Sequence, residues 1–194
     1  MDKLIIGLTG QSGAGKSTAS FVFENEGFYV INADRVSRMV TMRKDVLDTL
    51  KKTFGNVLLE SGMLDRRALA KIVFSDKEKL QLLNSILFPI ITSEIQNIID
   101  EIDCKYILLD APQLFESGAD KQCHKIVSVI APKEKLIERA MERDGISHED
   151  AEKRLNSQFP EDFFKEKSDY IITNDTTIDN LIKQTKQIVK EIMQ

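Results

Sequence analysis

Gly10-Gln11-Ser12-Gly13-Ala14-Gly15-Lys16-Ser17 fits the phosphate-loop pattern GxxxxGK[ST], and Thr18 follows it. Before it, Leu4-Ile5-Ile6-Gly7-Leu8-Thr9 is a short apolar segment suited to a buried strand. After it, Thr18-Ala19-Ser20-Phe21-Val22-Phe23-Glu24 reads as a helix closed by Gly27. Strand, glycine-rich loop and helix form the context that confirms a nucleoside triphosphate site. Glycines let successive backbone N–H groups turn inward on an anion, and the helix N-terminus adds its positive end. Lys16 is expected to reach the β- and γ-phosphates of ATP, and the Ser17 hydroxyl to ligate Mg²⁺.

Composition narrows the remaining classes. A chain of 194 residues suits one domain, 1–194, with room for a subdomain. Its net charge of −4 does not favour a broad basic surface for nucleic acid. Cys104 and Cys123 are the only cysteines, and with two histidines they give no zinc-ligand spacing, so a reduced, cytoplasmic protein is expected. The first strand starts by Leu4, too early for a secretory signal to precede it, and no apolar run approaches the ~20 residues of a membrane span. No membrane or nucleic-acid partner is expected, and a monomer and a small homo-oligomer are both compatible with the chain.

A second strand, Phe28 to Asn32, leads to Asp34, and residues 35–102 read as wholly helical. Asp65 is placed to cap a helix with Leu69, Ile72 and Val73 on one face. The following long helix sets Leu80, Leu83, Leu87, Ile90 and Ile91 at helical spacing, with a kink expected at Pro89. Such a segment exceeds what a strand crossover needs, so 35–102 is expected to be an inserted helical subdomain for a second substrate. Tyr106 to Asp110 and Lys125 to Ile130 read as further buried parallel strands, and Asp169 to Ile172 as a short fifth. Between the last two lie a helix from Pro132 to Gly145 and a polar helix from Ser147 to Ser157 with little to bury, suited to a mobile lid over 145–158. The final helix carries Ile178, Leu181, Ile182, Ile188, Val189 and Ile192. Alternating strands and helices indicate an α/β fold with a parallel sheet, whose ligands gather at the strand carboxyl ends near Gly10, Asp34 and Asp110.

Asp34 is the most informative residue after Lys16. An alcohol acceptor must lose a proton as it attacks phosphorus, so a carboxylate that takes the proton is useful. A nucleoside monophosphate attacks through an oxygen already ionised, and a carboxylate would repel it. Asp34 therefore favours a hydroxyl acceptor, while an N-cap role for the helix after it remains open. Asp110 is placed to hold Mg²⁺ directly or through water, or to act as a structural cap after its strand. All eight arginines fall in two windows: Arg35, Arg38, Arg43, Arg66 and Arg67, then Arg139, Arg143 and Arg154. Arginine forks suit phosphate oxygens. Arg139 and Arg143 are one turn apart and could close on the γ-phosphate, or pair with Glu138 and Glu142 on a solvated surface. Arg154 is a third candidate. His124 and His148 read as surface residues without a role.

The chain resembles the dephospho-coenzyme A kinase family over nearly its whole length. Beyond the loop, the resemblance rests on Ala33-Asp34, Leu64-Asp65-Arg66-Arg67-Ala68-Leu69, Ile72-Val73-Phe74-Ser75 and Asp110-Ala111-Pro112-Gln113-Leu114-Phe115-Glu116-Ser117-Gly118. It continues through Arg143-Asp144-Gly145 and Arg154-Leu155-Asn156-Ser157-Gln158. It implies a phosphate-loop three-layer sandwich with a five-stranded parallel sheet, a helical acceptor subdomain and a short helical lid. It also implies ATP-dependent phosphorylation of the ribose 3′-hydroxyl of dephospho-coenzyme A, the last step of coenzyme A synthesis. Asp34 then matches the catalytic aspartate, Arg139 and Arg143 the lid-flanking arginines, and Asn174 a position near the adenine of ATP. Three departures stand out: Asn32 where the family has aspartate, Phe88-Pro89 in place of His-Pro, and Val40-Thr41-Met42 without the usual Pro-Gly. Asn32 should keep the hydrogen bonding and lose only the charge. Alternatives left by the residues alone are a kinase for another nucleoside, nucleotide or small metabolite, and a nucleotide-binding switch. Against the switch, no Asn-Lys-x-Asp guanine-reading segment is present.

Overall fold

The computed structural model describes residues 2–194. Five strands, β1 (Leu4–Gly10), β2 (Tyr29–Asn32), β3 (Tyr106–Asp110), β4 (Lys125–Ile130) and β5 (Tyr170–Thr173), form one sheet in the order β2-β3-β1-β4-β5. Nine α-helices are described: α1 (Lys16–Asn25), α2 (Ala33–Val40), α3 (Lys44–Phe54), α4 (Arg66–Phe74), α5 (Lys77–Glu101), α6 (Lys133–Asp144), α7 (His148–Asn156), α8 (Glu161–Lys167) and α9 (Ile178–Met193). The chain divides into two compact units, Met1–Ile31 with Asp103–Gln194, and Asn32–Ile102.

In the first unit, β1 lies between β3 and β4 and runs parallel to both, with Leu8 opposite Asp110 and Gly10 opposite Val129. A central parallel strand must be apolar on both faces. Ile6, Leu8, Leu108, Val127 and Val129 are accordingly fully buried, and Phe23 of α1, Leu136 of α6 and Leu181 of α9 join their cluster. β2 begins at Tyr29; Phe28 turns into the core, where its ring meets Phe23 edge-on at 5.0 Å. His124, outside the strands, accepts the Ile5 N–H on Nδ1 at 3.0 Å and so extends the β1–β4 ladder by one bond. That is a structural role absent from the sequence reading.

Helix α7 buries only Ala151, as its polar sequence requires. It is nevertheless held to α6: Ala151 packs with Ile137 and Ala140, and Lys133 pairs with Glu152 at 2.5 Å. Helix α8 was not foreseen, because seven residues carry too little periodicity to register. Its Phe163 stacks on Phe159 at 3.9 Å, and its Phe164 is buried.

The second unit is helical except at 55–65. Gly55-Asn56 and Glu60-Ser61-Gly62 favour turns, and Leu58 pairs with Leu64 across an antiparallel bridge, so the expectation of an unbroken helical stretch is corrected there. Asp65 caps α4 by accepting the N–H groups of Arg67 and Ala68, and Asp76 caps α5 in the same way. Helix α5 continues through Pro89, whose missing N–H leaves the Ser85 carbonyl without its usual donor. Its buried spine is Ile91, Ile95 and Ile99, whereas Leu80, Leu83, Leu87 and Ile90 are only half-buried. By length and composition α5 is long and apolar enough to cross a membrane, although it contains no unbroken apolar run of that length. Asn84, Ser85, Thr92, Ser93, Gln96 and Asn97 break that run without outweighing its aliphatic residues, and α2 and α4 pack against the helix.

Asp169 clamps the outer edge of the first unit. It precedes β5 rather than opening it, accepts the Ile126 N–H at 2.8 Å, and pairs with Lys125 at 3.0 Å. Partial burial pushes its carboxyl up, but the Ile126 N–H and the Lys125 ammonium more than offset this and hold it below the usual carboxylate range. A depressed folded-state value contributes stability above the unfolded value, lost as pH falls through the folded one. Asp169→Asn should therefore lower stability at neutral pH, by less than ~1 kcal/mol because the pair is half in water. Urea titrations from neutral to acid should show the difference from the parent shrinking below about pH 4.

Candidate nucleotide site

The loop between β1 and α1 is shaped by contacts that exclude side chains. Gly10 has φ 145°, and a Cβ there would lie 2.1 Å from the Val129 carbonyl oxygen of β4. Gly15 has φ 105°, and its Cβ would meet Asn174 Nδ2 at 2.7 Å. Neither position tolerates another residue without movement of backbone or a buried amide. Helix α1 then starts at Lys16 with Gly15 as its N-cap, with no side-chain cap and no acidic residue in the first turn. No side chain thus compensates its N-terminal donors or dipole, which suits an anion.

Asn174 follows β5 and is buried. Its Nδ2 donates to the Ala14 carbonyl at 2.8 Å, and its own N–H bonds the Ile130 carbonyl. The structure thus places it as a brace beneath the loop.

Lys16 sits at the start of α1 and donates to Asp110 Oδ1 at the end of β3. Pairing of Leu8 with Asp110 sets that carboxylate beside the start of the loop, where it is buried. Nearby, Thr9 Oγ1 donates to the Pro112 carbonyl at 3.3 Å. Gln11 is buried as well, and its Oε1 has no hydrogen-bond partner among the described residues, so a ligand hydroxyl or a water would complete it. Ser17 is exposed. Magnesium takes one or two protein oxygens and fills its octahedron with phosphates and waters. The Ser17 hydroxyl and Asp110 carboxylate are such a donor set, and no cluster of three or more metal-ligating residues is found among the described residues.

Arg139 and Arg143 reach the loop from α6. Arg139 donates to the Gly13 carbonyl at 3.0 Å, and Arg143 to Ser12 Oγ at 3.4 Å. Neither makes the surface pair with Glu138 or Glu142 that the sequence left open. Arg143 also forks onto Asp144, which in turn accepts from Arg154 at 2.6 Å. The hydrogen bond from Arg143 holds the Asp144 carboxyl below its usual range. Gln158, just after α7, accepts the Ser12 N–H at 2.8 Å. Sequence reasoning assigned Gln158 and Asp144 no role; each stood within a segment carrying the family resemblance, and no local pattern distinguished them.

Asp34 belongs to the helical unit. The N-cap of α2 is Asn32, whose Oδ1 accepts the Arg35 N–H at 2.9 Å, and Asp34 lies in the first turn instead. The cap role left open for Asp34 is therefore corrected, and the expected hydrogen bonding by Asn32 is observed. The Asp34 carboxylate is exposed and has no hydrogen-bond or ion-pair partner among the described residues.

A profile of the dephospho-CoA kinase family matches residues 4–180. The chain belongs to that family. A dephospho-CoA kinase from Fusobacterium nucleatum is 38% identical over 193 residues, covering 99% of this chain and 100% of its own. One from Oryza sativa subsp. japonica is 39% identical over 97% of this chain and 84% of its own. Among solved structures, a Thermus thermophilus protein has TM-score 0.84 at 30% identity, covering 98% of each chain. A dephospho-CoA kinase from Campylobacter jejuni has TM-score 0.65 at 27% identity, over 98% of this chain and 97% of that one. A shikimate kinase from Acinetobacter baumannii, at 16% identity and TM-score 0.56 over 98% of this chain and 93% of its own, shares the fold.

Asn174→Ala tests the brace. Removing a buried donor strands the Ala14 carbonyl, so unfolding should need ~1–3 kcal/mol less. Calorimetry with a non-hydrolysable ATP analogue should show weakened binding, because the loop loses its underside support.

Proposed function

We propose that the chain transfers the γ-phosphoryl group of ATP to the ribose 3′-hydroxyl of dephospho-CoA, with Asp34 as proton acceptor and Lys16, Arg139 and Arg143 stabilising the transferring charge. The observation that carries this reading is a family match over residues 4–180 around an uncapped, glycine-shaped loop. ATP-dependent phosphorylation of dephospho-CoA is the activity of the family, a step of coenzyme A biosynthesis.

The 3′-oxygen attacks the γ-phosphorus in line, the bond to the β–γ bridging oxygen breaks, and ADP leaves. The hydroxyl proton passes to Asp34, whose carboxylate is exposed and unencumbered because Asn32 caps α2 in its place. Loop N–H groups and Lys16 hold the β- and γ-phosphates, so Lys16 exchanges part of its bond to Asp110 for the nucleotide. Arg139 and Arg143, already bonded to Gly13 and Ser12, lie beside the loop with guanidinium charge to offer the transition state. The Ser17 hydroxyl and Asp110 would hold Mg²⁺, which neutralises phosphate charge and orients the triphosphate. Arg154, on the lid formed by 145–158, adds a further cation. Asn174 supports the nucleotide from beneath the loop, and the helical unit takes the acceptor. A cytoplasmic setting belongs to this reading as well; burial pushes the Cys123 thiol up to about 12, which leaves it unreactive there.

A Mg-ATP assay comparing dephospho-CoA, adenosine and AMP tests the reading, with the product mapped by NMR. Phosphate should appear on the 3′-oxygen of dephospho-CoA; intact ATP binding with another acceptor preferred, or hydrolysis with none, would refute it. Asp34→Asn should lower kcat by ~10²–10⁴ while ATP affinity stays within about twofold.

A further inference from the structure

Five residues of the first unit close a ring of hydrogen bonds on the phosphate loop. The Ser12 N–H donates to Gln158 Oε1 at 2.8 Å, and Gln158 Nε2 donates to the Arg154 carbonyl at 3.2 Å. Arg154 Nη1 donates to Asp144 Oδ2 at 2.6 Å. Arg143 grips the same carboxylate with Nε at 2.9 Å and Nη2 at 2.8 Å, and that Nη2 also donates to Ser12 Oγ at 3.4 Å. The ring begins and ends on Ser12. Its only anion is Asp144.

The placement of Asp144 is costly by local rules. It is the last residue of α6, and Gly145 terminates the helix in the left-handed region. A carboxylate there faces the negative end of the helix dipole, which disfavours it. Helix formation thus does not explain the residue, but two guanidiniums do. Arg143 and Arg154 repel each other when both approach one short loop, and a shared carboxylate removes that repulsion while fixing both planes. The arrangement leaves Arg143 Nη1, Arg154 Nε and Arg154 Nη2 without hydrogen-bond partners among the described residues.

We propose that Asp144 is a positioning residue for phosphoryl transfer: it holds Arg143 and Arg154 together at Ser12, with their remaining N–H donors reserved for the triphosphate. The proposal rests on the kinase reading above and adds a role for a residue that never touches substrate. Pre-placed donors need no reorganisation as charge develops, so the benefit falls on turnover rather than on binding.

Asp144→Asn tests this, since it keeps the shape and removes the charge. With Mg-ATP and dephospho-CoA saturating, kcat should fall about 10- to 100-fold. Calorimetry with a non-hydrolysable ATP analogue should show affinity within about threefold, and the melting temperature should stay close to that of the parent because Asp144 lies at the surface. When Arg143 and Arg154 are both alanine, adding Asp144→Asn should leave the residual rate unchanged, whereas a structural role would cost again. Independently of turnover, the Arg143 Nε–H signal in ¹H–¹⁵N NMR of the nucleotide-free protein should exchange slowly and become fast in Asp144→Asn. A parent enzyme idle on dephospho-CoA would refute the kinase reading alone, and the NMR comparison would still decide the role of Asp144. An unchanged kcat in Asp144→Asn beside an active parent, or an unchanged Arg143 exchange rate, would overturn the proposal.

Discussion

The contact between Lys16 and Asp110 organises the first unit of this protein. Asp110 is buried at the end of β3, and a carboxylate left there alone would cost about 3–5 kcal/mol. The cation that answers it stands at the first position of α1, directly after the loop. A sheet register, a loop conformation and a helix start therefore have to agree before one charge is neutralised. The pairing of Leu8 with Asp110 sets the first, Gly10 against Val129 the second, and the uncapped N-terminus of α1 the third. The same pair keeps the Lys16 ammonium ordered where the loop passes into α1.

Around that pair, the loop is held at several points along its length. Asn174 supports Ala14 from below, Arg139 reaches Gly13 from α6, and Gln158 takes the Ser12 N–H from the segment after α7. These supports come from three separate stretches of chain, all C-terminal to β4. A short glycine-rich segment would otherwise sample many conformations. The loop's precision therefore resides mainly in the second half of the protein, while its sequence lies in the first fifteen or so residues.

Much of this was legible in the sequence, for identifiable reasons. The phosphate loop has fixed spacing, and β3 and β4 are apolar runs with turn-forming or charged residues at their ends, so Tyr106–Asp110 and Lys125–Ile130 were read to the residue. Asp65 as a cap follows from helical geometry alone. What escaped depends on partners far away along the chain. Gln158 matters because of Ser12, and His124 because of Ile5. Asn32 and Asp34 are both good capping residues two positions apart, and only the observed start of α2 separates their roles. The helical spacing of Leu80, Leu83, Leu87, Ile90 and Ile91 leaves the buried spine of α5 open, because a helix apolar on several faces does not announce which one is covered.

The sheet order also bears on how the chain is made. β1 is central, yet its partner β3 begins at Tyr106, so Ile5 waits for Ile107. Closing a loop of roughly 100 residues costs about 4 kcal/mol of chain entropy before any pairing repays it. At a synthesis rate of ~5–20 residues per second, a nascent Leu4–Gly10 segment spends about 5–20 s without a strand beside it. The helical unit, Asn32–Ile102, is complete in that interval, so it can fold first and shorten the effective span between the two strands. The inserted unit is in this sense a folding spacer, and the ribosome delivers it before the sheet can close.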